Sequence, residues 1–174
     1  MGMEPGAEIH DTDPFATPEE HRSPVRRLRG RLVAPVTLWT APGPAGLTVS
    51  SMLVADGEPG RVVGLVDDES DLWDALQAAG AFAVCPLPAG RQQVADRFAG
   101  LAPAPGGLFA QDRWQDTPYG PVPVDAGTWA GCRLEDSRRC GWAMLVEATI
   151  AQVAVGRDER PMAYHRGRYR ELSQ

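Results

Sequence analysis

The chain reads as a mainly β protein, a small barrel with a few short helices at its periphery, and three observations predict this. Six or more apolar, β-branched runs recur at fairly regular spacing, each bounded by Gly, Pro, Asp or Ser. The segments with helical period are short and fall between those runs. The second half of the chain supplies no helix at all, which a doubly wound sheet would need between most of its strands. At 174 residues there is mass for one domain with a sizeable core. Residues 1–16 are polar, carry no usable hydrophobic period and are expected to form a flexible tail, leaving residues 17–174 as the domain.

Taken in order, Ser23-Pro24 has the form of an N-cap with proline at the first helical position. Val25, Leu28 and Leu32 then stand at i, i+3 and i+7. That spacing predicts a short amphipathic helix with its apolar stripe turned inward and its arginines outward. Residues 33–40 and 47–55 read as a strand pair joined through Ala41-Pro42-Gly43-Pro44-Ala45, and residues 61–66 as a third strand. Ser70 caps a helix through Ala79 that stops at Gly80. Residues 82–87 form a short buried strand, and residues 91–99 a second helix carrying Val94, Ala95 and Phe98. Residues 101–112 are a loop rich in Ala, Pro and Gly, and no secondary structure is assigned through Pro123. Two long strands follow at 129–135 and 143–155, and the chain closes on residues 162–169.

Composition removes several chemistries. All 17 basic residues are arginine, so no Schiff-base lysine and no phosphate-loop lysine exists. The absence of lysine and asparagine, with only two isoleucines, points to a bacterial genome of high GC content. A net charge of −6 argues against nucleic acid as a partner. The cluster Arg22, Arg26, Arg27, Arg29 and Arg31 is read as the wet face of a helix. Cys85, Cys132 and Cys140 are odd in number and lack metal or redox spacing, which fits free thiols in a cytoplasm and no metal site. No apolar run is long enough to span a membrane, and the start of the chain has no signal-peptide pattern.

The stretch Gly46-Leu47-Thr48-Val49-Ser50-Ser51-Met52 is the candidate centre of the chemistry. Alternation would put Thr48 and Ser50 on one face of a strand and Val49 and Ser51 on the other. A core strand seldom places hydroxyls on both faces, since a buried one without a partner costs about 1–3 kcal/mol. Two readings stand: an edge strand with solvated hydroxyls, or a polar shelf for a planar ligand. Elsewhere, His165 beside Tyr164, Arg166 and Arg168 is either a site residue or a satisfied structural histidine. Cys140 between arginine neighbours and Gly141 is either activated or inert. A Ser-His-Asp hydrolase lacks its Gly-x-Ser-x-Gly elbow. Trp114 in the long loop is a candidate lid.

With these pieces in order, the sequence resembles the flavin reductase-like family, the FMN-binding split β-barrels that act as NAD(P)H:flavin oxidoreductases. The resemblance runs from about Val25 to Leu172. It rests on Pro35-Val36-Thr37, Gly46 to Ser51, Ser70 before Leu76, Phe82-Ala83-Val84, Ala95 to Gly100, Cys132 to Glu135, and Tyr164-His165-Arg166-Gly167-Arg168-Tyr169. It implies a split-barrel homodimer with FMN (or FAD) near the subunit interface and NADH or NADPH as hydride donor. A monooxygenase is implied as one destination for the reduced flavin. Carried over by position, Thr48, Val49, Ser50 and Ser51 would contact the ring and ribityl chain, Ser70 would approach the phosphate, and Arg97 and Phe98 would lie close to the cofactor. His165, as catalytic candidate, and Arg166 would serve the flavin or the donor's phosphate.

Two departures qualify the resemblance. Asp67-Asp68-Glu69 and Asp71 surround Ser70, and carboxylates there would repel a phosphate. Where many family members carry Gly-Asp-His-Thr, this chain reads Gly141-Trp142-Ala143-Met144, so Ala143 stands in for a histidine. The alternative to an enzyme is therefore a non-catalytic split barrel that holds a flavin, the deazaflavin F420 or haem.

Overall fold

A computed structural model of the chain describes residues 23–172, so the expected tail lies outside the described residues. Ser23 caps α1 (Pro24–Arg31) as its sequence predicts, accepting a hydrogen bond from the Arg26 amide at 3.2 Å. The expected inward stripe is corrected: α1 buries no residue, and Val25 and Leu28 are 76% and 63% exposed. The helix is held near its end by the Arg166 amide, which donates to the Gly30 carbonyl at 2.9 Å, and its apolar residues Val25, Leu28 and Leu32 are exposed.

Both long strands expected at the start of the domain are broken. Residues 33–40 divide at Val36 into β1 (Ala34–Pro35) and β2 (Thr37–Ala41), which join different sheets. Residues 47–55 divide at Ser50-Ser51 into β3 (Ala45–Val49) and β4 (Met52–Ala55). Next come β5 (Arg61–Val66), α2 (Asp71–Ala79), β6 (Ala81–Pro86) and α3 (Gln92–Phe98). The unassigned stretch contains a short pair, β7 (Trp114–Gln115) and β8 (Val122–Pro123). The two longest strands are β9 (Trp129–Cys140) and β10 (Ala143–Ala154), followed by β11 (Met162–His165) and β12 (Arg168–Glu171). β9 runs well beyond its expected end at residue 135, because the hairpin to β10 turns at Gly141, whose φ of 61° suits glycine.

The main sheet has seven strands in the order β3-β2-β6-β9-β10-β5-β4, and a second has three in the order β1-β11-β12. Consecutive strands β3 and β4 thus occupy opposite ends of the seven-stranded sheet, joined by two residues. Neighbouring strands lie about 4.8 Å apart, so in a flat sheet β3 and β4 would be separated by about 29 Å. A two-residue link reaches only about 10 Å. The sheet must therefore curl until its ends meet. The Leu65 amide of β5 donates to the Ser51 carbonyl at 2.9 Å across that junction. This is a barrel split along one line, with helices outside it.

The interior is filled from the strands. Trp39 stacks on Phe82 with ring centroids 4.6 Å apart, and Val62, Val66, Val146 and Cys132 close around them while Leu72 and Leu76 of α2 cover one side. A second cluster outside the barrel gathers Leu38, Leu87, Val94, Phe98 and Met162 beneath α3 and the three-stranded sheet. Gly64 of β5 is required by this packing: a Cβ there would lie 2.6 Å from the Trp39 ring. Among the described residues no helix is long and apolar enough to cross a membrane.

Candidate functional site

The junction between the sheet ends is where backbone and hydroxyl groups are left unclaimed. β3 pairs with β2 on one edge and β4 with β5 on one edge, and among the described residues no strand takes the other edge of either. Between them Ser50 and Ser51 are half-buried, and neither hydroxyl has a hydrogen-bond partner among the described residues. Their neighbours in the stretch are committed. The Thr48 hydroxyl donates to the Ala95 carbonyl at 2.7 Å, tying β3 to α3. The Val49 side chain is buried in the barrel core, and its carbonyl accepts from the Thr37 hydroxyl at 2.5 Å. Thr48 and Val49 hold the shelf in place, and the two serines present polar groups at the opening.

Ser70 caps α2, accepting from the Trp73 amide at 3.2 Å and donating to the Asp67 carbonyl at 2.6 Å. Asp71 continues the acidic run into the helix. Arg139 of β9 pairs with Asp68 at 2.5 Å, and the hydrogen bond from that guanidinium holds the Asp68 carboxyl below its ordinary value of 3.8. A phosphate beside Ser70 would meet these carboxylates and would have the first-turn amides of α2 to offset them. The charge arrangement at this helix end disfavours a dianion.

Arg97 and Phe98 stand behind the shelf. Arg97 is only 5% exposed, forms an ion pair with Asp112 and donates to the Gln111 side chain at 3.3 Å. Its guanidinium clasps the loop after α3 onto the helix. The Phe98 ring makes edge-to-face contacts with Phe109 at 5.2 Å and Trp114 at 5.7 Å. A Cβ on Gly46 would sit 2.7 Å from Phe98, so β3 lies directly against this aromatic group. The sequence carried a signal for the burial of Arg97: with Val94 and Phe98 it stands at i, i+3 and i+4, on the same arc of α3.

His165 and Arg166 belong to the three-stranded sheet. His165 ends β11 in register with Arg168, and Arg166 occupies the turn with φ 54°. Within one chain, then, the predicted residues fall into separate groups: the junction, the start of α2, the α3 clasp and the β11–β12 turn. The tip of the β9–β10 hairpin presents Trp142, 95% exposed, with Ala143 and Met144 behind it. No proton donor or acceptor side chain stands at those three positions.

Sequence reasoning missed a concavity of about 950 Å³, which none of the predicted cofactor-binding residues line, although Trp114, the candidate lid, does. Val36, Leu87, Val94 and Met162 form its apolar wall, and residues 155–161 form one rim. Its walls come from segments far apart in sequence, so no local pattern announces it. Cys85 also lines it, and burial pushes that thiol up to about 12. Burial raises Cys132 likewise to about 12, while Cys140 is half-exposed. Burial and a hydrogen bond with Asp96 raise Tyr169 above its ordinary value.

Comparison with known proteins places this geometry. The chain is 28% identical over 162 residues to the FMN reductase (NADH) RutF of Variovorax paradoxus, covering 91% of this chain and 89% of that protein. It is 28% identical over 149 residues to HsaB, the reductase subunit of a flavin-dependent monooxygenase from Rhodococcus jostii, covering 83% and 74%. The solved nitrilotriacetate monooxygenase component B from Mycobacterium thermoresistibile superposes with a TM-score of 0.77 at 26% identity, covering 86% of this chain and 85% of that one. Residues 29–173 match the sequence model described as the flavin reductase like domain. With residues 29–173 matched, the chain belongs to the flavin reductase like domain family.

Proposed function

We propose that the chain is an NAD(P)H-dependent flavin oxidoreductase that takes FMN at the junction of its sheet ends and supplies reduced flavin to a monooxygenase. The observation that carries this reading is the opening at Ser50 and Ser51, where unclaimed hydroxyls and strand edges face one another. Bound flavin supplies a two-electron acceptor for a hydride from the nicotinamide. The polar edge of an isoalloxazine ring needs partners in one plane, and two strand edges meeting at a short link fit that need. Thr48 and Val49 fix the shelf, Phe98 supports it from behind through Gly46, and Arg97 anchors the loop beside it. His165 and Arg166 are assigned to the flavin or to the donor's phosphate, and Ser70 to the ribityl-phosphate end. The carboxylates around Ser70 weigh toward a ligand whose phosphate lies off the α2 terminus. The relatives' names support FMN with NADH, with FAD and NADPH as the variants to compare. The protein acts as a bacterial, cytoplasmic homodimer with flavin near the interface.

A second reading, a split barrel that holds flavin, deazaflavin or haem without turnover, is favoured by Trp142, Ala143 and Met144 alone, which offer no proton-transfer group. One experiment separates the two. Purified full chain loaded with FMN is titrated anaerobically with NADH and with NADPH while the visible flavin absorbance is followed. Bleaching is expected with at least one donor, and its absence with both overturns the reductase reading. Ser50→Leu with Ser51→Leu should abolish flavin binding and leave the far-UV circular dichroism unchanged. Retained stoichiometric flavin would relocate the site.

A further inference from the structure

We infer that α1 is an arm by which two copies of this chain embrace, its apolar stripe seating in the 950 Å³ groove of the other copy. The inference rests on the proposed homodimer and adds the surfaces that make it. Helices shorter than about 12–15 residues are marginal in water unless packing holds them. α1 has eight residues, and all of them lie on the surface of the isolated chain. Val25, Leu28 and Leu32 nevertheless form one stripe at i, i+3 and i+7, and Val33 prolongs it. Such a stripe needs a cover.

The groove begins where the stripe ends. Val33, Ala34 and Pro35 line its mouth, and Val36, Leu87 and Met162 its interior. A ridge and a hollow that adjoin on one face are the parts of an isologous contact: under a two-fold axis near Val33, each ridge enters the other hollow. The chain's own α1 is prevented from filling its own groove. Its Gly30 carbonyl is bonded by the Arg166 amide, which ties the helix end to the β11–β12 turn. Charge favours the same occupant. Arg26, Arg27, Arg29 and Arg31 lie on α1, whereas residues 32–174 hold 17 acidic and 12 basic side chains, so the body that the arm meets has an excess of acid. Asp158 and Glu159 stand at the groove rim beside Arg157 and Arg160, which gives the arm's guanidinium groups carboxylate partners there.

The test uses the full chain with Cys140→Ser, which leaves the buried Cys85 and Cys132 as the native thiols. One isotopically labelled preparation carries Leu28→Cys and an unlabelled one carries Val155→Cys. A short bis-maleimide added to the mixture should join position 28 of one copy to position 155 of the other, read by mass spectrometry of the linked peptides. Leu28→Asp should raise the apparent dimer dissociation constant in sedimentation by about 100-fold, as expected for a central apolar anchor. Leu28 is 63% exposed within its own chain, so the β-sheet contribution to circular dichroism should be unchanged. A dimer indifferent to Leu28→Asp, or a 28–155 link found within single chains of the double variant, overturns the arm. A monomeric parent overturns both arm and dimer, while the NADH titration reports separately on flavin reduction.

Discussion

At the scale of single residues, Gly64 connects the barrel core to the proposed site. Its absent side chain lets the edge of Trp39 come to the β5 backbone, and a Cβ there would also lie 3.3 Å from the Ser51 carbonyl. Trp39 is fully buried and stacked on Phe82, so its ring has nowhere to retreat. Gly64→Ala should therefore destabilise the protein by about 1–3 kcal/mol through overpacking, measured by urea unfolding. The same change pushes on Ser51, so flavin affinity should fall in the folded variant. A variant with parental stability and parental affinity would show that the ring yields freely.

At the scale of elements, the clasp between α3 and the following loop makes an asymmetric prediction. Arg97 is nearly sealed from solvent, while the Asp112 side chain is 23% exposed. Removing Asp112 strands a buried cation, so Asp112→Ala should cost about 3–5 kcal/mol. Arg97→Met removes the cation itself and leaves a carboxylate that can reach water, so its cost should be clearly smaller. Denaturant midpoints of the two variants measure the difference, and equal losses would mean that the pair is held by its packing and not by charge. This level also marks how far the sequence could be read. Ser70 and Gly80 bound α2 through chemistry that is local to a turn, and both were legible. The strand breaks at Val36 and Ser50-Ser51 were not, because each half is apolar and β-prone and the break is imposed by pairing with strands remote in sequence. The stripe on α1 was visible as a stripe, but its direction depends on what covers it, and no periodicity encodes that. The shelf is proposed from its hydroxyls, which the sequence displays directly. The roles of Arg97 and Phe98 behind it depend on a loop whose fold comes from contacts between Phe109, Trp114 and Asp112.

For the molecule as a whole, burial of acidic groups sets the alkaline limit of stability. Cys85 and Cys132 are raised from 9.0 to about 12, so the folded chain retains those protons where the unfolded chain loses them. A raised value contributes stability that is complete below 9.0 and is lost as pH climbs from 9.0 toward about 12. Each thiol steepens the loss by up to about 1.4 kcal/mol per pH unit in that window. Tyr169, also raised, adds to the same limb. Urea midpoints should be level through neutral pH and fall above 9.0, and Cys132→Ala should flatten the fall even though it lowers the plateau. An unchanged slope in that variant would show that the thiol is open to water.

The two-residue link between β3 and β4 gives the molecule one last property. β3 and β4 are arms of a single covalent staple, so a ligand seated between them as proposed would also set how far apart they stand. Aperture and occupancy would then be a single variable, and a tenant held there would brace the barrel's whole circumference.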